Sequence, residues 1–129
     1  ESFDLVCGLE VVEHTTDPDE FVANCAALVR PGGALVMSTI NRNTKSYLMA
    51  IAGAEYAAGL IPPGTHEWER FRTPAEMSGA MARAGLAVAA PTGIVFHPHL
   101  LLPVTSAAAW GLSDFDTDVN YILHAVRGL

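Results

Sequence analysis

The chain has 129 residues, half of them hydrophobic, and its 14 acidic side chains against 7 basic ones give a net charge of −7. This length admits one domain at most, and the composition is that of a globular chain rather than a disordered one. No basic cluster is present, which argues against nucleic acid as a partner.

The chain opens on Glu1, with no initiator Met, no leader and no helix ahead of the first strand, and so reads as the later part of a longer protein. Leu5, Val6 and Cys7 form a short apolar run between polar residues, the pattern of a strand buried on both faces. The strand is expected to finish near Gly8 and Leu9. Glu10, Glu13 and His14 follow at once, and ligands of open α/β sheets bind outside the carboxyl ends of strands. On an extended chain Glu10 and Glu13 point to opposite faces, whereas on a helical turn positions i, i+3 and i+4 share one. A turn that gathers the three groups is therefore expected, and two carboxylates with an imidazole can hold a divalent cation. Oxygen ligands favour magnesium and the imidazole softer metals, so ligand type leaves the metal open. The alternative is that Glu13 and His14 only hydrogen-bond nearby backbone.

Asp17-Pro18-Asp19-Glu20 is a helix start, with Asp17 as cap, Pro18 at the first helical position and Glu20 at the reciprocal capping position. Phe21, Cys25 and Leu28 recur on one helical face, and Pro31-Gly32-Gly33 turns the chain into a second apolar strand at 34–40. Strand, helix, strand is one parallel crossover unit. Cys7 and Cys25 read as buried free thiols of a reducing compartment, without a disulfide.

Asn41 to Ser46 is a polar loop at the second carboxyl end, suited to ligand contact or to ordinary turn chemistry. The segment 47–61, from Tyr47 to Ile61, is apolar nearly all round, with Glu55 its one charge. A buried helix, a lid over a greasy substrate and a surface helix dipping into a membrane compete for it. Pro62-Pro63-Gly64 stops it, and Thr65 to Phe71 is a mixed aromatic and polar loop. Thr73-Pro74-Ala75-Glu76 is a capping box that opens a helix running to about Ala84, with Gly85 as its left-handed stop. Strand follows at 86–90 and 93–96, broken by Pro91; 97–118 is an irregular connection; 119–126, VNYILHAV, is a last strand. His124 within it reads as a core or edge histidine.

The pattern FDLV…EVVEH…DPDEFV…LVRPGGALVMSTIN resembles the second half of class I S-adenosylmethionine-dependent methyltransferases. The continuation STINRNTKSYLMAIAGAEY, IPPGTHEWERF, TPAEM and VNYILHAV resembles the ubiquinone-biosynthesis O-methyltransferases, over nearly the whole chain and in the right order. The resemblance implies an α/β, partial Rossmann-like fold whose sheet is mostly parallel with an antiparallel last strand. Residues 1–129 would be the C-terminal part of one domain, with an apolar helical insertion at 44–64. It implies methyl transfer from S-adenosyl-L-methionine to a catechol hydroxyl of polyprenylated ubiquinone precursors, at two steps: 2-polyprenyl-6-hydroxyphenol and 3-demethylubiquinol. It implies Mg2+ or another divalent metal on Glu10, Glu13 and His14, and cofactor contact at Leu9. The glycine-rich cofactor loop of the family is absent from this sequence, since Gly32-Gly33 follows a helix.

Implied partners are the polyprenylated catechol, membrane lipid through Tyr47 to Ile61, and other ubiquinone-biosynthesis proteins. The location would be cytoplasmic and peripheral on a bacterial inner membrane, or the matrix side in a mitochondrion. Without a metal, His14 is the candidate general base. Two rivals stand beside this reading: a metal-free methyltransferase of another small molecule, and a non-catalytic remnant that binds lipid or a partner.

Overall fold

The computed structural model describes residues 2–48, 62, 67–97, 103 and 106–129. Strand β1 (Phe3–Leu9) leads through a 3-10 turn (Val12–His14) to helix α1 (Pro18–Leu28) and then to β2 (Val29–Ile40). A single helical turn, α2 (Thr44–Ser46), and a 3-10 turn (Trp68–Arg70) precede α3 (Pro74–Arg83). The strands β3 (Leu86–Val88), β4 (Thr92–Phe96), β5 (Trp110–Ser113) and β6 (Asn120–Arg127) complete the described elements. They form one sheet in the order β1-β2-β6-β4-β5, with β3 also on β6.

Among the described residues only β1 and β2 are parallel neighbours; β6 runs antiparallel to β2, β3 and β4, and β5 antiparallel to β4. β1, β2, β3 and β4 therefore share one direction, and the last strand is inserted against them, as the resemblance implied. The pairing of β2 with β6 is unbroken from Ala34↔Val126 to Ile40↔Asn120.

Both long helices start where capping chemistry puts them. The Asp17 carboxylate accepts from the Glu20 amide at 2.9 Å, and Thr73 and Glu76 form the full reciprocal box. Gly85, at φ +82°, supplies the left-handed stop of α3. The end of α1 differs from expectation. It closes at Leu28, and β2 already begins at Val29, carrying Pro31-Gly32-Gly33 inside the strand. Those residues make an irregularity, not a turn: β1 advances from Phe3 to Leu5 while β2 advances from Val29 to Ala34. The buried face of α1 is also rotated, with Val22 and Ala26 in the core and Leu28 exposed.

The core lies between α1, α3 and one face of the sheet. It gathers Val22 and Ala26 of α1, Met77 and Met81 of α3, Leu35 and Met37 of β2, and Tyr121, Leu123 and Ala125 of β6. Alternation along the strands sends Ser38 and Ile122 to the opposite face, where register places Leu5, Cys7 and Leu9 as well. Among the described residues no helix covers that face, and Leu5 and Leu9 are 55% and 51% exposed. This corrects the expectation of a first strand buried on both faces, and with it that of a buried Cys7, which is exposed. Cys25 is half-buried, and burial pushes its thiol upward. His124 faces solvent on a central strand rather than the core or an edge.

Residues 49–61 of the segment 47–61, and 98–102, 104 and 105 of the connection 97–118, lie outside the described residues. The connection is not wholly irregular, since Trp110–Ser113 pairs with β4. A Cβ on Gly93 would overlap the Asp116 carbonyl, because the chain ahead of β6 passes directly over β4 there. Backbone cannot give way as a side chain can. Gly93→Ala in the complete protein should therefore cost about 1–3 kcal/mol or more in urea unfolding, and an unchanged midpoint would contradict this packing.

Candidate active site

Parallel β1 and β2 bring their carboxyl ends to the same edge of the sheet, and antiparallel β6 begins there with Asn120. Leu9 closes β1, and Glu10 leaves it at φ +52°, the one left-handed non-glycine among the described residues. The Glu10 amide donates to the Ser38 carbonyl at 3.0 Å and lies 3.2 Å from Ser38 Oγ. In return the Ser38 hydroxyl donates to Glu10 Oε1 at 2.8 Å, and Asn120 Nδ2 approaches Oε2 at 3.5 Å.

Glu13 goes elsewhere. It sits in the 3-10 turn, is almost fully buried, and accepts from Thr39 Oγ1 at 2.8 Å. His14, the next residue, is exposed. Ser38 and Thr39 are consecutive on β2, so their side chains leave by opposite faces. Each holds one carboxylate, and Glu10 and Glu13 are consequently on opposite faces of the sheet. The expected turn with all three groups on one face is not formed, because the 3-10 turn starts only at Val12 and Glu10 stands outside it. Among the described residues no group of three or more His, Cys, Asp or Glu side chains is placed to hold a metal ion. As arranged, Glu10, Glu13 and His14 do not fit a shared magnesium site.

The loop after β2 is tied down by turn chemistry. Asn41 Nδ2 donates to the Thr117 carbonyl at 3.0 Å, and Asn43 caps α2 through the Ser46 amide at 2.8 Å. Arg42 pairs with Glu76 and donates to the Phe71 carbonyl at 3.2 Å, which fastens the loop to the start of α3. Burial pushes the Glu76 carboxyl up, but the Thr73 amide and the Arg42 guanidinium outweigh it and hold the group below its ordinary value. Tyr121 donates to the Arg72 carbonyl at 2.7 Å, and burial together with the nearby carboxylates raises its phenol well above the usual range. The Trp68 indole donates to the Asn43 carbonyl at 3.2 Å and meets the Tyr47 ring edge to face, at 6.3 Å between centroids. Tyr47 and Leu48 are largely exposed.

Ser38, Thr39 and Asn120 are absent from the candidates read off the sequence. The signal for the first two is present: two hydroxyl residues stand together near the end of an otherwise apolar strand. Asn120 carries no such signal, as only the antiparallel insertion of β6 brings it here.

Thr39 gives the site a direct test. Thr39→Val keeps the shape but leaves a buried carboxylate oxygen without its donor, at a cost of about 1–3 kcal/mol in urea unfolding of the complete protein. Thr39→Ser should recover most of it. Equal stability of the Val and Ser variants would contradict the bond.

The chain matches a family profile described as "Methyltransferase domain" over residues 1–90. It is similar to the ubiquinone biosynthesis O-methyltransferase of Methylobacterium nodulans, 46% identical over 127 residues, which are 98% of this chain and 48% of that protein. The protein of the same name from Dinoroseobacter shibae is 43% identical over 98% of this chain and 48% of its own length. The chain thus spans about half the length of the curated relatives it matches. A SAM-dependent methyltransferase from Thermotoga maritima has the same fold at a TM-score of 0.69 and 18% identity, covering 98% of this chain and 57% of that one. An O-methyltransferase family protein from Burkholderia thailandensis gives 0.54 at 19% identity, over 98% of this chain and 31% of its own. At such identities the likeness shows the fold alone, that of class I methyltransferases.

Proposed function

From a chain that belongs to the methyltransferase-domain family, we propose a protein that methylates a catechol hydroxyl of polyprenylated ubiquinone precursors with S-adenosyl-L-methionine, at both the 2-polyprenyl-6-hydroxyphenol and the 3-demethylubiquinol step. The observation that carries this is the run of relatives at 43–46% identity over nearly the whole chain, all bearing one name. We read residues 1–129 as the C-terminal part of one such domain. The open sheet face supports this, because Leu5, Cys7 and Leu9 are an apolar row that a larger domain would cover.

The cofactor, when bound, supplies a methyl group on a sulfonium. Leu9 suits contact with it, being an apolar side chain half exposed at the carboxyl end of β1. The chain's own residues do the rest. Glu10 accepts a hydrogen bond from the catechol and orients it. His14 takes the proton of the hydroxyl that would accept the sulfonium methyl, and the imidazolium later returns that proton to water. Most of the acceleration comes from in-line positioning. No step here runs through a metal, since Glu10 and Glu13 are held on separate faces by Ser38 and Thr39. His14→Asn in the complete protein should lower kcat for a short-tailed catechol by about 100–10,000-fold while the fold is retained. Wild-type turnover in that variant would remove His14 as the base.

Tyr47 and Leu48, both exposed, begin the apolar segment 47–61. We read it as the part of the chain that touches lipid where the isoprenoid tail enters; residues 49–61 lie outside the described residues. Among the described residues no helix is long and apolar enough to cross a membrane. Each large apolar side chain that enters the interface contributes about 1.5–3 kcal/mol. The net charge of −7 opposes anionic lipid, so attachment should depend on apolar contact. Co-sedimentation of the complete protein with phosphatidylcholine vesicles should therefore fall when Leu48, Met49 and Ile51 are changed to Ser. Unchanged binding would make the segment structural.

A further inference from the structure

Glu10 occupies a backbone conformation that an L-residue adopts only when its surroundings impose it. Glycine would occupy it without strain, and asparagine more readily than glutamate. Both the backbone and the side chain of Glu10 bond to Ser38. Ser38 takes the Glu10 amide on its carbonyl and its hydroxyl oxygen, and gives its hydroxyl proton to the Glu10 carboxylate. Ser38 itself is only 4% exposed and sits in the unbroken β2–β6 register, so it cannot follow a wandering loop. Asn120, two residues along β6 from the Ser38 partner Ile122, reaches the second carboxylate oxygen from the same face. A carboxylate held at both oxygens on a strained backbone, at the carboxyl edge of the sheet, is a placed group. Strain of this kind persists where function requires the geometry.

We propose that Ser38 is the positioning residue of the site: its carbonyl anchors the Glu10 amide, and its hydroxyl, bonded to Oε1, fixes the carboxylate at the carboxyl edge of the sheet, where it meets the bound catechol. Ser38 touches no reacting atom; its effect on turnover passes entirely through Glu10. Thr39, one residue on, has the parallel task of burying Glu13, and the pair explains why two adjacent hydroxyls end an apolar strand.

The inference rests on the proposed catechol methylation, and a double-mutant cycle on kcat in the complete protein tests it separately. A wild-type protein that methylates no catechol would overturn the proposed function. With an active wild type, Glu10→Gly should lower kcat about 100-fold, and Ser38→Ala about 10- to 100-fold with KM for S-adenosylmethionine nearly unchanged. Ser38→Thr, which keeps the hydroxyl, should recover most of the rate. In the Glu10→Gly background, Ser38→Ala should cost no more than about twofold further, because the carboxylate it aims is gone. Should Ser38→Ala not fold, Ser38→Cys, of similar volume and weaker as a donor, gives the same reading. Additive losses in the cycle, or wild-type kcat in Ser38→Ala, would overturn the inference.

Discussion

Everything at the carboxyl edge of the sheet depends on the alternation of side chains along β2. Leu35, Met37 and Thr39 face the helices, while Ser38 faces the other way. A slip of one residue would send Leu35 and Met37 out of the core and exchange the two hydroxyls. Burial of those apolar residues against Tyr121 and Leu123 therefore fixes where the hydroxyls point, and the hydroxyls fix the carboxylates. The packing of the core and the chemistry of the edge are one constraint seen from two sides.

This division gives the two carboxylates different chemistry. Glu13, buried beneath Thr39, is a structural anchor for the turn after β1. Glu10, at the carboxyl edge, is already oriented by Ser38, and under the proposed function a substrate would not have to order it. Methyl transfer places few demands on covalent catalysis and many on alignment, and in the proposed reaction a carboxylate fixed before substrate arrives would meet that demand. The same layout explains why a metal site does not assemble from the three groups as they stand.

Much of the fold was legible in the sequence because its signals are local. Asp17, Thr73 and Gly85 act through bonds to residues three or four away, or through their own φ, and they mark helix ends in the structure as they do in the string. Leu9, Glu10 and His14 were legible as a strand end followed by polar groups. What was not legible is what depends on distant partners. The face that Glu10 takes is set by Ser38, 28 residues away, and Asn120 arrives only through the inserted last strand. Spacing of i, i+3 and i+4 implies one face only if the turn includes position i, and a left-handed residue there excludes it. The exposed β1 likewise reads as buried because an apolar run reports the burial a strand needs, not which neighbours are present to supply it.

The most direct measurement is a crystal structure of the complete protein with S-adenosylhomocysteine, a catechol and magnesium. The expected result is Glu10 at positive φ with its carboxylate on the Ser38 hydroxyl and near the catechol, and Glu13 still buried against Thr39 on the other face. A single ion bound by both Glu10 and Glu13, with the Ser38 and Thr39 bonds broken, would contradict it.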